Sequence, residues 1–181
     1  MKKITLFSLL FCGIALGVRA QTLQEYFNLF PTIAQDVNWT GDDLENARKN
    51  IPIIEENYLK FIDNDGKEVS TYKNTIPLGK IQIGTTTVVF FAKHFNYREN
   101  YDTQISLHGR AYDKNGELLP MGIYNYLAST GGDAATQKFM YSFSFTLNWA
   151  TQTILIEQKS TDKAMESTTL YKISKKGLVS Q

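Results

Sequence analysis

His94, in FFAKHFNY, and His108, in ISLHGRAY, are the only two imidazoles of the chain, and Cys12 is its one thiol. Acid–base or nucleophilic chemistry near neutral pH often uses such groups or paired carboxylates. The histidines stand fourteen residues apart. That is unlike the i, i+4 spacing that turns two imidazoles toward one zinc ion, and two ligands do not complete a zinc site. No Gly-x-Ser-x-Gly turn presents a serine nucleophile. A hydrolase acting on glycan or peptide would need the fold to bring His94 or His108 to a carboxylate, or to pair two carboxylates. The sequence assigns no catalytic residue.

Two acidic stretches raise the question of metal. FIDNDGKEV (61–69) and AYDKNGELL (111–119) share an acidic core followed by glycine. A calcium loop of the EF-hand type needs oxygen ligands at its first and twelfth positions, counted with glycine at the sixth. Those positions hold Phe61 and Tyr72 in one stretch, and Ala111 and Gly122 in the other, so neither qualifies. The flanking residues share no pattern, which removes an internal duplication. Asp63 and Asp65 leave room for a looser surface calcium site, but no metal and no cofactor is expected. The two stretches read better as chain reversals. Asp113–Gly116 follows an alternating strand and predicts a hairpin turn with Gly116 left-handed. Asp63–Gly66 follows a helical stripe and predicts a helix exit.

Binding residues are more visible than catalytic ones. Tyr97, Arg98 and Tyr101 share the polar loop NYRENYD, and Tyr124 and Tyr126 alternate on one side of a short segment. Tyrosine and arginine favour interfaces because each joins apolar area to a polar tip. These five are the expected contacts for an unknown protein, peptide or glycan. Trp39 is expected to anchor packing.

The elements that must position these residues fall into two grammars. Thr22 and Glu25 fit a capping box, with Leu23, Tyr26, Phe27 and Phe30 behind it at helical spacing and Pro31 as the stop. A loop through 38–41 and a second helix to about Lys49, capped by Asp42 or Asp43, follow. IPIIEENYLKFI (51–62) places Ile51, Ile54, Tyr58, Phe61 and Ile62 on one arc, predicting a helix with Pro52 in its first turn. From Lys80 the period changes to two. Strands are expected over 80–84, 85–92, 103–112, part of 117–127, 139–149, 154–159 and 168–174, with a mobile loop over 128–137. The 139–149 segment is the clearest: Phe139, Tyr141, Phe143, Phe145, Leu147 and Trp149 share one face. The expected fold is α+β: N-terminal helices (about 22–62) packed on an antiparallel meander of six to eight strands (about 76–179).

Bulk composition places this domain. Lys2 and Lys3, an apolar stretch from Ile4 to Gly17 and Val18-Arg19-Ala20 read as a signal peptide over residues 1–20. Its removal leaves 161 residues in which acids outnumber bases by two and no cysteine remains. A single domain of this size buries enough surface to fold without disulfides. A near-neutral balance without a basic cluster argues against nucleic acid, and no later segment is apolar enough to span a membrane. The expectation is an exported, non-catalytic binding or interaction domain of bacterial type, periplasmic or extracellular. One alternative is an inhibitor or immunity-type protein that neutralises an envelope-targeted toxin; the other is the hydrolase.

Overall fold

A computed structural model describes residues 22–62, 74–95, 104–119, 126–133 and 138–181. The signal peptide, Asp63–Gly66 and the 96–103 loop lie outside the described residues. The period-two segments become β2 (Thr75–Ile83), β3 (Thr86–Phe95), β4 (Gln104–Tyr112), β5 (Tyr126–Asp133), β6 (Lys138–Asn148), β7 (Thr153–Ser160), β8 (Ser167–Ser174) and β9 (Gly177–Ser180). These strands neighbour one another in chain order, and every pair is antiparallel. The protein is therefore mainly one antiparallel sheet with few helices.

A ninth strand, β1 (Val37–Thr40), pairs with β6 and takes the place of the loop expected there. Strand β6 makes room for it. Along one edge β6 pairs with β7 from Tyr141 to Asn148. The opposite edge is shared: β5 takes Lys138 and Tyr141, and β1 takes Ser144 to Leu147. The open backbone between 144 and 147 explains why a short polar stretch such as VNWT is extended, since it completes a ladder it could not form alone. Trp39 then stacks on Phe145 with ring centroids 4.9 Å apart and meets Phe90 edge-on at 6.2 Å.

The sheet curls, so that Leu178 of β9 packs at Gly109 of β4, and the Thr86 hydroxyl donates to the Lys175 carbonyl (2.9 Å). Inside the curl, Phe90, Leu107, Phe145, Leu147 and Ile154 form one continuous core with neighbours from β2 to β9. Each such side chain contributes roughly 1.5–3 kcal/mol on burial, which is how a chain without disulfides holds together.

Strands β3 and β4 are covered on their outer face as well. Val89 and Phe91 of β3 and Tyr112 of β4 pack with Tyr26 and Phe30 from the N-terminal helical segment, and with Ile54, Leu59 and Ile62. This double burial accounts for the unbroken apolar run VVFFA, where a strand with one wet face would alternate. Helix α1 (Leu23–Asn28) starts with the expected capping box between Thr22 and Glu25. Beyond it, Ile33 donates to the Lys80 carbonyl (2.9 Å) and Lys80 to the Pro31 carbonyl (2.8 Å), which covers the outer edge of β2. Gly79 permits this approach, because a β-carbon there would lie 2.6 Å from Ile33.

Three further expectations are corrected. Helix α2 (Gly41–Arg48) is capped by Thr40, with Asp43 as the reciprocal partner, not by Asp42 or Asp43. The predicted helix over 51–62 is reduced to a 3₁₀ helix at Glu56–Phe61. The cause is Ile54, whose amide donates to the Thr75 carbonyl at 2.7 Å and holds the chain extended before Glu56. Ile51 consequently packs on the inner core and Ile54 on the outer cluster, so they share no helical arc. Lastly, 128–133 is not loop but part of β5, because Ala128 is buried opposite Leu107 and Gly131 pairs with Tyr141. The other reversal holds as read: Gly116 has φ +83°, and the turn is closed by Asp113 and Glu117.

Candidate functional site

The outer face of β4 carries Ser106, His108, Arg110 and Tyr112 in alternation, and all four are buried. His108 belongs to the polar side of the alternation in ISLHGRAY, yet it is buried with the rest of this row. Ser106 Oγ and His108 Nε2 share a 2.8 Å hydrogen bond, and the imidazole lies parallel to the Phe91 ring at 5.3 Å. A hydroxyl hydrogen-bonded to an imidazole is the start of a nucleophile–base pair. However, these two side chains are 3% and 8% exposed, and neither lines the two grooves described below. Their geometry holds β4 against β3.

Further along the row, Arg110 Nε donates to the Ile62 carbonyl (3.1 Å) and Nη1 to the Gly109 carbonyl (3.2 Å), with the guanidinium over the Phe91 ring at 5.6 Å. Carbonyl acceptors and a π-face offset part of the cost of desolvating the cation. The Tyr112 hydroxyl donates to the Phe61 carbonyl (2.7 Å) and lies 3.3 Å from that of Tyr26. Burial pushes both phenols above their ordinary range, so both stay neutral hydrogen-bonding groups. The row is a polar seam that ties the end of the 3₁₀ helix to the sheet.

Tyr126 is the one predicted contact residue that is described. It opens β5, is 42% exposed, and turns its ring edge-on to His108 at 6.0 Å. Its hydroxyl donates to Ser129 Oγ at 2.7 Å, and burial of part of the ring raises its pKa against the opposing effect of that bond. Tyr97, Arg98, Tyr101 and Tyr124 lie outside the described residues.

His94 sits elsewhere, on the inner face of β3 beneath α2, and is 3% exposed. Among the described residues, neither ring nitrogen has a hydrogen-bond partner. The Glu45 carboxylate stands 3.9 Å from Nδ1, too far for a hydrogen bond. Burial, and then the nearby Arg48, lower the imidazole pKa, and Glu45 only partly opposes them. A neutral, enclosed ring of this kind is poorly placed to exchange protons with a substrate.

Among the described residues, two grooves open on the surface. One, about 230 Å³, runs between the start of α2 and the outer face of β6 and β7, past Thr130, Ser144 and Glu157. The larger, about 500 Å³, lies on the outer face of β2 and β3, walled by α1 and by the Asp113–Gly116 turn. Lys80, Gln82 and Thr87 form its floor, Leu23 and Phe27 one wall, and Lys114 its rim. Lys80 Nζ donates to the Phe27 carbonyl at 2.7 Å. Gly116 sets the wall spacing, since a β-carbon there would fall 1.9 Å from Leu23. Sequence reading passed over this floor. The signal was present in KIQIG, where Lys80 and Gln82 alternate with apolar Ile81 and Ile83, but the docking of α1 that makes the row a groove is a tertiary event.

Among the described residues, no group of three or more potential metal-ligating side chains occurs, and no helix is long and apolar enough to cross a membrane. No family model, curated protein or solved structure matches the chain.

Proposed function

We propose that this protein is an exported, non-catalytic binding domain that works in the periplasm or outside the cell. The observation that carries this reading is the 500 Å³ groove between α1 and the β2–β3 hairpin. Its volume falls within the range that holds small ligands, roughly 300–1,000 Å³. Its lining mixes amides, hydroxyls and ammonium groups with an apolar wall, which suits recognition by hydrogen bonding. Neither histidine reaches it, and that supports binding over hydrolysis.

Pull-down from the native envelope fraction tests the reading, with mass spectrometry of eluted proteins and eluted small molecules. Two variants run beside the native protein. One carries Gln82→Ala and Lys114→Ala, at exposed side chains in the groove. The other carries Tyr97→Ala and Tyr101→Ala in the predicted tyrosine loop. The groove variant is expected to lose the captured species while keeping its thermal stability. Loss confined to the tyrosine variant would move the contact to Tyr97, Arg98, Tyr101, Tyr124 and Tyr126 and sink the groove assignment.

A further inference from the structure

The charge arrangement in the larger groove points to the chemistry of its ligand; this step rests on the binding-domain reading above. Lys80 is partly buried on the groove floor, and one of its ammonium protons is taken by the Phe27 carbonyl. No described carboxylate forms an ion pair with it. An ammonium group has three donors, and the sheltered position limits how well water serves the other two.

One acid, Asp113, also lines the groove, but its carboxylate is already engaged. Oδ1 accepts from the amides of Asn115 (2.8 Å) and Glu117 (2.9 Å), and Oδ2 from the Asn115 side chain (3.4 Å). Those bonds hold the turn, so Asp113 is spent on the wall and not aimed at Lys80. With Lys114 at the rim, the lining carries two cations against this one anion.

We propose that the groove binds a small hydroxylated monocarboxylate of the sugar-acid class. Its carboxylate sits on Lys80, its hydroxyls meet Gln82, Thr87 and Gln24, and its apolar ring face lies along Leu23 and Phe27. A single excess positive charge matches one carboxylate, whereas a phosphate dianion would leave a negative charge uncompensated. Side-chain amides and hydroxyls pair with ligand hydroxyls that an apolar acid does not have.

The test is nuclear magnetic resonance titration of the chain beginning at Gln21, with sodium glucuronate, glucose and inorganic phosphate as separate probes. Glucuronate is expected to shift the signals of Lys80, Gln82 and Thr87 saturably, with Kd on the order of 1 mM or tighter. Lys80→Met keeps the aliphatic stem and removes the charge, and is expected to weaken binding at least tenfold. Lys114→Ala, at an exposed position, gives a second readout if Lys80→Met fails to fold, with a weakening of about threefold expected from a rim charge. Equal response to glucose would overturn the carboxylate assignment and leave the binding groove standing. A response to phosphate alone would overturn the ligand class. Silence of the groove signals to all three probes would also overturn it, and the envelope pull-down then decides separately whether the groove binds anything.

Discussion

At the scale of single residues, His94 is the least comfortable group in the described structure. An imidazole in the core with neither nitrogen hydrogen-bonded costs free energy that an apolar side chain would not. Its pKa is lowered by burial and by Arg48. The sign of the pH effect follows. Above the unfolded value of about 6.5 the ring is neutral in both states and imposes no pH-dependent penalty. As pH falls through that value the unfolded chain takes up the proton first, so stability drops until the lower folded pKa is passed, and then levels. Urea midpoints should therefore fall as the pH is lowered through about 6.5. His94→Leu should remove His94's share of that fall and gain about 1 kcal/mol at neutral pH. A variant with the same pH slope as the native protein would show that His94 is not the titrating group. Gly116 presents the opposite case, a residue that fits only because it has no side chain. Gly116→Ala meets two obstacles: φ of +83° and Leu23 in the way. The backbone part alone costs about 1–2 kcal/mol. Adding Leu23→Ala should relieve the collision with Leu23 but leave the backbone part in place. Full recovery in that double variant, measured by urea titration, would show that the turn carries no left-handed strain.

At the scale of elements, Thr40 serves two structures at once. It is the last residue of β1, opposite Ser144, and the N-cap of α2. The Asp43 amide donates to its hydroxyl at 3.3 Å, and its own amide donates to the Asp43 carboxylate at 2.8 Å. Thr40→Ala should cost about 1 kcal/mol, and Thr40→Ser should restore most of it. Equal losses from both, read from urea midpoints, would assign the effect to the threonine methyl group and not to the cap. The same residue shows what was legible. Thr22–Glu25, the alternation of β6 and the Asp113–Gly116 turn depend on neighbours within a few positions, and all three stood in the sequence. Strand β1 did not, because VNWT is extended only by virtue of Ser144–Leu147, more than a hundred positions away. The helix expected over 51–62 failed for a related reason: the bond from Ile54 to Thr75 outweighs the local periodicity. At the candidate site, Lys80 and Gln82 were visible as an outward polar pair. The wall that encloses them, α1 against Gly116, depends on contact between segments more than ninety residues apart.

At the scale of the whole molecule, the arrangement poses a question of cooperativity. One sheet carries two apolar clusters, an inner one that spans the curl and an outer one beneath the N-terminal segment. They meet in β3, where Val88 and Phe90 face inward and Val89 and Phe91 outward. If the outer layer lifted away alone, it would expose Phe91 and Tyr112 and strip Arg110 of the Ile62 carbonyl. Exposing that apolar surface to water is costly, so undocking and unfolding should be one event. Tyr26 is the place to test it. Fully buried, it touches the rings of Phe27, Phe30, Phe61 and Tyr112 with centroids 5.1–6.1 Å apart. Tyr26→Ala should cost about 3–5 kcal/mol, and Tyr26→Phe about 1 kcal/mol for the hydroxyl contact alone. The decisive measurement is not the size of the loss but where it is felt. Trp39 reports on the inner core through Phe145, and Trp149 also packs against that core. A coupled molecule moves the tryptophan-monitored urea midpoint down by the full amount, although Tyr26 touches neither ring. An unchanged tryptophan transition, with a separate early loss of structure in α1, would divide the molecule into a stable curled sheet and a detachable cover. The groove would then open and close with that cover, because Leu23 and Phe27 are both its wall and part of the outer cluster's packing.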